Sequence, residues 1–151
     1  MFLMRSLSLL PALMLAACSG LPDIVPTERF DARSQPFFPT SDFPVTPNVE
    51  ALIGPEDCQG ATLEAQEFEL PDYPGRAYAR GLQGWAVVRF HVYDTGQTRR
   101  VRVARAVPDG PFNGASVEAV ENWIFRELES GQALSNCVVM FEYRMGNVRV
   151  R

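Results

Sequence analysis

The 151-residue chain has no lysine; its fourteen Lys/Arg positions are all arginine, and there is one histidine. With three cysteines beside that histidine, little material is left for a metal centre. A net charge of −4 and a pI near 5.0 argue against nucleic acid as the partner. No uninterrupted apolar run reaches the roughly 20 residues of a membrane-spanning helix, because Arg5 and Pro11 break the longest one. Gly-x-Ser-x-Gly, His-Glu-x-x-His, the phosphate-binding glycine patterns and Cys-x-x-Cys are all missing. The lone His91, between Arg89 and Tyr93, reads as a sheet-surface residue rather than a base, and the carboxylates form no inward pair. The expectation is therefore a non-enzymatic domain with no cofactor and no metal. What is present is 46% apolar residues, enough for a core and too many for a disordered chain.

The N-terminus reads as an address. One positive charge in residues 1–5 precedes an apolar run over 6–15 of signal-peptide length. Leu15-Ala16-Ala17-Cys18 then reads as a bacterial lipobox, which places lipidation at Cys18. An ordinary secretory signal or an uncleaved N-terminal anchor are the alternatives. Acyl chains contribute roughly 0.8 kcal/mol per buried CH₂, so two or three of them anchor a protein durably. Ser19, where Asp would signal inner-membrane retention, favours the outer membrane. The expected location is the cell envelope, as a periplasm-facing lipoprotein.

An exported chain meets an oxidising compartment, and Cys58 and Cys137 are then the remaining pair for a disulfide. Chain entropy credits a loop of this size with about 4.5 kcal/mol before any strain. Two buried free thiols are the alternative.

Three segments follow: 1–17 as lipoprotein signal, 18–62 as a lipid-anchored Pro-rich tether, and 63–151 as the folded domain. Residues 19–56 hold seven of the twelve prolines and show no sustained period, which predicts extended, partly polyproline-like chain. Phe30, Phe37, Phe38 and Phe43 are unusual in a spacer; packing onto the domain explains them better than a partner motif. Beyond residue 63 the periods are clear. Tyr73-Pro74-Gly75 opens a short helix that Gly81 and Gly84 end. Residues 85–93 alternate as a strand, with Ala86, Val88, Phe90 and Val92 opposing Trp85, Val87, Arg89 and His91. Asp94-Thr95-Gly96-Gln97 is a hairpin turn. The return strand, 98–107, sets Val101 and Val103 against Arg100 and Arg102, with a bulge or strand end expected near Arg105. Asn113 is read as an N-cap, and Val117, Val120, Trp123, Ile124 and Leu128 as one helical stripe running on to Gly131. Residues 137–145 alternate again as the last strand.

The expected fold is α+β: a short helix, then β-β-α-β, with a three-stranded antiparallel sheet covered by one helix. The last strand pairs beside the first and becomes a sheet edge with free backbone groups. The alternating tail 146–151 extends or shields that edge.

Tyr73-Pro74, Gly84 before a Val-rich strand, Asp94-x-Gly96, Val101-x-Val103, Phe112, Ala119-Val120, Trp123-x-Phe125 and the final strand together resemble the TonB C-terminal domain. The resemblance covers about 80 residues. It departs from the pattern after Trp123, where Arg126-Glu127-Leu128 stands instead of a proline. It also lacks the Pro/Lys-rich arm of an energy transducer. In that family the domain recognises the TonB box of an outer-membrane transporter, an extended peptide that adds to the sheet edge. The resemblance implies a membrane-anchored periplasmic module that recognises an envelope protein or TonB-box-like peptide by strand addition, linked to TonB-type transmembrane transport. The edge residues so implied are Val138, Met140, Glu142 and Arg144. The alternatives are a structural envelope lipoprotein without a transport role, or a transducer with an uncleaved anchor. A homodimer through the sheet edge is a further option. Last, Arg89, Arg99, Arg100, Arg102 and Arg105 cluster either as a solvated face or as a site for an acidic partner.

Overall fold

The computed structural model describes residues 31–129 and 131–151. The signal sequence and Cys18 lie outside these residues. Among the described residues no helix is long and apolar enough to cross a membrane.

The elements run in the order β1 (Ala65–Glu67), α1 (Gly75–Ala79), β2 (Gly84–Val92), β3 (Thr98–Val107), α2 (Asn113–Glu121), β4 (Ile124–Phe125), β5 (Leu134–Arg144) and β6 (Asn147–Val150). The architecture is α+β. β3, β2, β5 and β6 form one antiparallel sheet in that order, and β1 and β4 form a separate two-stranded ribbon. Four strands stand where three were counted, because the alternating tail extends the sheet beyond β5, as its pattern allowed.

Alternation along β2 decides which layer lies where. Ala86, Val88, Phe90 and Val92 join the main core with Phe112, Val120, Trp123, Phe125, Phe141 and Tyr143. The rings there meet edge to face or stacked: Phe112 on Tyr143 at 4.3 Å, Trp123 against Phe141 at 5.7 Å. Such pairs add about 0.5–1.5 kcal/mol beyond burial. Ser116, fully buried on α2, shares a 2.7 Å hydrogen bond with the Tyr143 hydroxyl, which spares both groups an unmet desolvation cost.

Helix α2 is shorter than its apolar spacing suggested. It ends at Glu121; Asn122 caps it, and Asn113 is its first helical residue, with Phe112 at the cap position. Trp123, Ile124 and Phe125 are three consecutive bulky residues that one helix face cannot bury together. Extended chain solves this. Ile124 and Phe125 pair with Glu67 and Ala65, the Phe125 amide donates to Gly96 O at 2.9 Å, and Trp123 Nε1 donates to Glu69 O at 2.9 Å. Gly96, at φ 81°, sits so close that a Cβ would lie 1.9 Å from Phe125 O.

The opposite face of the sheet is closed by the proline-rich chain. Trp85, Val87 and Met140 are buried beneath Phe43, Val49 and Leu52, with Val107 and Val138 at the margin. Phe37 packs separately, edge-on to Tyr73 and Tyr78. The packing thus extends well N-terminal of residue 63. This strap has no ladder of its own and is held by side chains reaching its carbonyls. Gln83 Nε2 donates to Ser41 O at 2.9 Å and Trp85 Nε1 to Val45 O at 3.0 Å; Arg89 Nη2 donates to Leu52 O. Cys58 and Cys137 are joined at its end with Cα atoms 4.6 Å apart, closing a sequence separation of 79.

Candidate functional site

In length, β5 and β6 are the least similar neighbours in the sheet: eleven residues against four. Met145 (φ 52°) and Gly146 (φ 76°) join them, both left-handed, as a two-residue hairpin loop requires. Gln83 Oε1 accepts from the Met145 amide at 2.9 Å, and Asn147 Nδ2 donates to Met145 O at 3.0 Å. Register then runs Arg144↔Asn147, Tyr143↔Val148, Glu142↔Arg149 and Phe141↔Val150. Beyond the strand, Met140 and Arg151 exchange backbone hydrogen bonds of 3.0 and 2.9 Å.

That exchange fixes the direction of every backbone group along the hairpin. Residues 147, 149 and 151 aim N–H and C=O at β5, so Val148 and Val150 aim theirs away, where the sheet has no further strand among the described residues. Opposite residues 140–144 the open flank therefore belongs to β6, where it is a row of only two residues, while residues 134–139 of β5 have no partner strand on that side among the described residues. Val150 is 40% exposed, whereas Val148 rests partly buried against the main core.

The four residues expected to read a partner stand differently. Met140 is 1% exposed under the strap, and Val138 lies half-buried at its margin. Glu142 is buried and bound to Arg151, Nε to Oε1 3.1 Å. Arg144 alone is exposed, with its guanidinium 5.2 Å from the Phe43 ring. All four point to the strap side; β6 takes the backbone flank of β5 over 140–144 but does not reach Val138, and three of the four side chains are not surface determinants. The physical reason is twofold: β6 occupies the backbone flank from 140 to 144, and residues 41–58 occupy the face. Sequence reasoning missed Val148, Val150 and Gln83. The turn signal was available in Met145-Gly146-Asn147, flanked by alternation on both sides.

Beside this flank lies a cavity of about 480 Å³ lined by Asp42, Phe43, Pro44, Glu142, Arg144 and Arg151. It is open and charged, with no nucleophile or paired carboxylates. Elsewhere the titrating groups serve the fold. Burial pushes the Tyr143 hydroxyl up to about 12, partly countered by Ser116, and burial also raises Tyr73, whose hydroxyl donates to Leu82 O. Asp57 is held below the usual carboxylate range by the Gly54 amide first and by Arg89 second, at 3.0 Å. Among the described residues no group of His, Cys, Asp or Glu is placed to hold a metal ion.

The chain is similar to Protein TonB of Yersinia enterocolitica, 25% identical over 92 residues, which is 61% of this chain and 33% of that protein. It thus spans about a third of the length of that curated relative. Among solved structures it is similar to the Pseudomonas aeruginosa TonB CTD determined in solution by NMR, at 26% identity and a TM-score of 0.49, covering 58% of this chain and 90% of that one. The family model for the C-terminal region of Gram-negative bacterial TonB proteins matches residues 69–145, just over half of the chain and the whole of the α1-to-β5 unit described above. The chain belongs to the TonB C-terminal family.

Proposed function

We propose that this protein is a periplasm-facing binding module, held to a membrane by lipid on Cys18, that captures an extended segment of an envelope protein by strand addition in the service of TonB-type transport. It acts as a binder and not as an enzyme. The observation that carries this reading is the free flank of β6, where Val148 and Val150 turn their backbone groups outward at the end of the sheet order. An incoming strand would gain main-chain hydrogen bonds there without demanding much of its own sequence. Arg144 and Arg149, exposed on the strap side of the hairpin, would then bias the choice of its side chains.

The strap and the short β6 also favour a second reading. With one face covered and residues 140–143 of β5 paired on both sides, the domain has the features of a closed structural element of the envelope. One substitution separates the two. Val148→Pro removes an outward N–H and no bond to β5, a position where edge strands tolerate proline. The fold should persist, while binding of a TonB-box-like peptide should weaken at least about tenfold, as expected for a lost ladder bond beside a distorted edge. Backbone amide shifts on peptide addition should centre on 147–151. Shifts confined elsewhere, or none at all, would leave the closed structural reading. Mass spectrometry of the mature N-terminus tests the anchor: acylated Cys18 supports it, and a retained N-terminal segment overturns it.

A further inference from the structure

The arginines of β3 were read from the sequence as an alternating face, and the structure arranges them otherwise. β3 pairs with β2 through two irregularities. Val87 faces Arg105 while Val88 faces Val103, leaving Ala104 as an extra residue; Arg89 faces Arg102 while His91 faces Arg99, leaving a second extra residue where Arg100 takes φ 51°. Strict alternation would place 99, 101, 103 and 105 on one side. Two bulges convert that period into three and bring Arg99, Arg102 and Arg105 together on the strap side, opposite alternate residues of β2.

These three guanidinium groups are exposed and carry no ion pair among the described residues. Arg105 lies 5.8 Å from the Trp85 ring, Arg99 donates to Gln97 at 2.9 Å, and Arg102 reaches Asn136 at 3.5 Å. Neighbouring Arg89 is already committed to Asp57. The strap covers Trp85, Val87 and Met140 but leaves these three bare. A chain of net charge −4 thus concentrates four of its fourteen arginines on one edge strand that has no acidic residue.

We propose that Arg99, Arg102 and Arg105 form a docking row for an acidic, extended peptide segment whose carboxylates recur at every second residue. The pitch is the argument. Arginines opposite alternate β2 residues stand about 6.8 Å apart along the strand, which is also the spacing of same-side residues in an extended chain. Each contact is a charge-assisted, fork-shaped pairing suited to a carboxylate. A bilayer is a poorer match, since Asp42, Glu50 and Glu56 are exposed on the adjoining strap and would be pressed against anionic headgroups. The bulges and the charges also blunt β3 against simple strand addition, so recognition here is by side chains. This row lies at the opposite edge of the sheet from β6, and the proposal stands apart from the strand-addition reading.

The test uses the full chain in zwitterionic detergent and a seven-residue synthetic peptide alternating threonine and glutamate. Binding should weaken steeply with added salt, and it should fall about tenfold or more when Arg99→Gln, Arg102→Gln and Arg105→Gln are combined. Shifts should appear at the Nε resonances of those arginines, and a peptide with glutamine for glutamate should not bind. Melting of the triple variant near the parent temperature would show that the fold is intact; Arg99→Lys with Arg102→Lys and Arg105→Lys, which keeps the charge, should restore part of the affinity. Equal binding by the triple variant, equal binding of the glutamine peptide, or shifts centred on 147–151 would overturn the proposal. So would arginine-dependent binding to phosphatidylglycerol vesicles without peptide binding, or arginine-dependent self-association in sedimentation.

Discussion

On one face of the sheet, Phe90, Phe141 and Tyr143 meet α2, Trp123 and Phe125 in a layer of stacked and crossed rings. On the other, Trp85, Val87 and Met140 meet a strand-less strap whose contributions are Phe43, Val49 and Leu52. The first layer is made of regular elements that satisfy their own backbone. The second borrows satisfaction, with Gln83, Trp85 and Arg89 donating to strap carbonyls one at a time. A face closed by helix and rings should fail with the whole fold, and a face closed by a strap should be able to open alone.

The largest effect that tests this difference is a cavity under α2. Phe141 is fully buried, and Phe141→Ala should cost about 3–5 kcal/mol of unfolding free energy, read from urea titration. Loss should be global, with strap and helix signals vanishing in one transition. Separate transitions in this variant would break the comparison.

Next in size is the bond at the strap's end. Cys58→Ser, checked first by non-reducing peptide mapping of the parent for a 58–137 cross-link, should cost about 2–4 kcal/mol, below the entropic ceiling for so long a loop. Its distinctive mark is local. Hydrogen exchange should speed up at Leu52 and at the Trp85 indole while the amides of α2 keep most of their protection. Uniform acceleration on both faces would show that the strap is no separate unit. Freely alkylated cysteines in the native protein would remove the bond from the account altogether.

The same division explains what could be read in advance. β2 was legible because its two faces are both apolar at their inward positions and its alternation is unbroken from Trp85 to Val92. The β3 register was legible in part: the broken alternation near Arg105 announced a bulge, and one lies at Ala104, but the second, at Arg100, looks like an ordinary member of the series. α2 was overextended because Trp123 and Leu128 fit a helical stripe, while the reason for leaving the helix, pairing with β1 some sixty residues earlier, is a long-range contact. The strap had phenylalanines but no period, so its packing could be suspected and its target could not. The predicted edge held only in part. Residues 138–144 are well-read strand, but the tail pairs along 140–144, as its alternation allowed, and the tether covers their face.

The smallest effect concerns protons, and it again differs between faces. His91 lies on the strap side in line with Arg99, and its imidazole is held below the ordinary value of 6.5, first by desolvation and then by Arg100 and Arg102. A depressed histidine means that the unfolded chain binds the proton more readily than the folded one, so stability rises with pH across the interval between the two values. Acidification through about 6.5 should therefore weaken the fold slightly, well above the range where protonation of Asp57, whose carboxyl is held below 3.8, begins to loosen the Arg89 contact. On the helix side the sign reverses: Tyr143, raised to about 12, retains its proton after the unfolded chain has lost it near 10, so stability declines as pH rises through that window. An NMR titration of the His91 ring should give a midpoint below 6.5, and Arg102→Gln should move it upward by removing one repelling cation. A midpoint at or above 6.5 would mean that the arginines of β3 do not act on this ring, and the electrostatic distinction between the two faces would have to be given up.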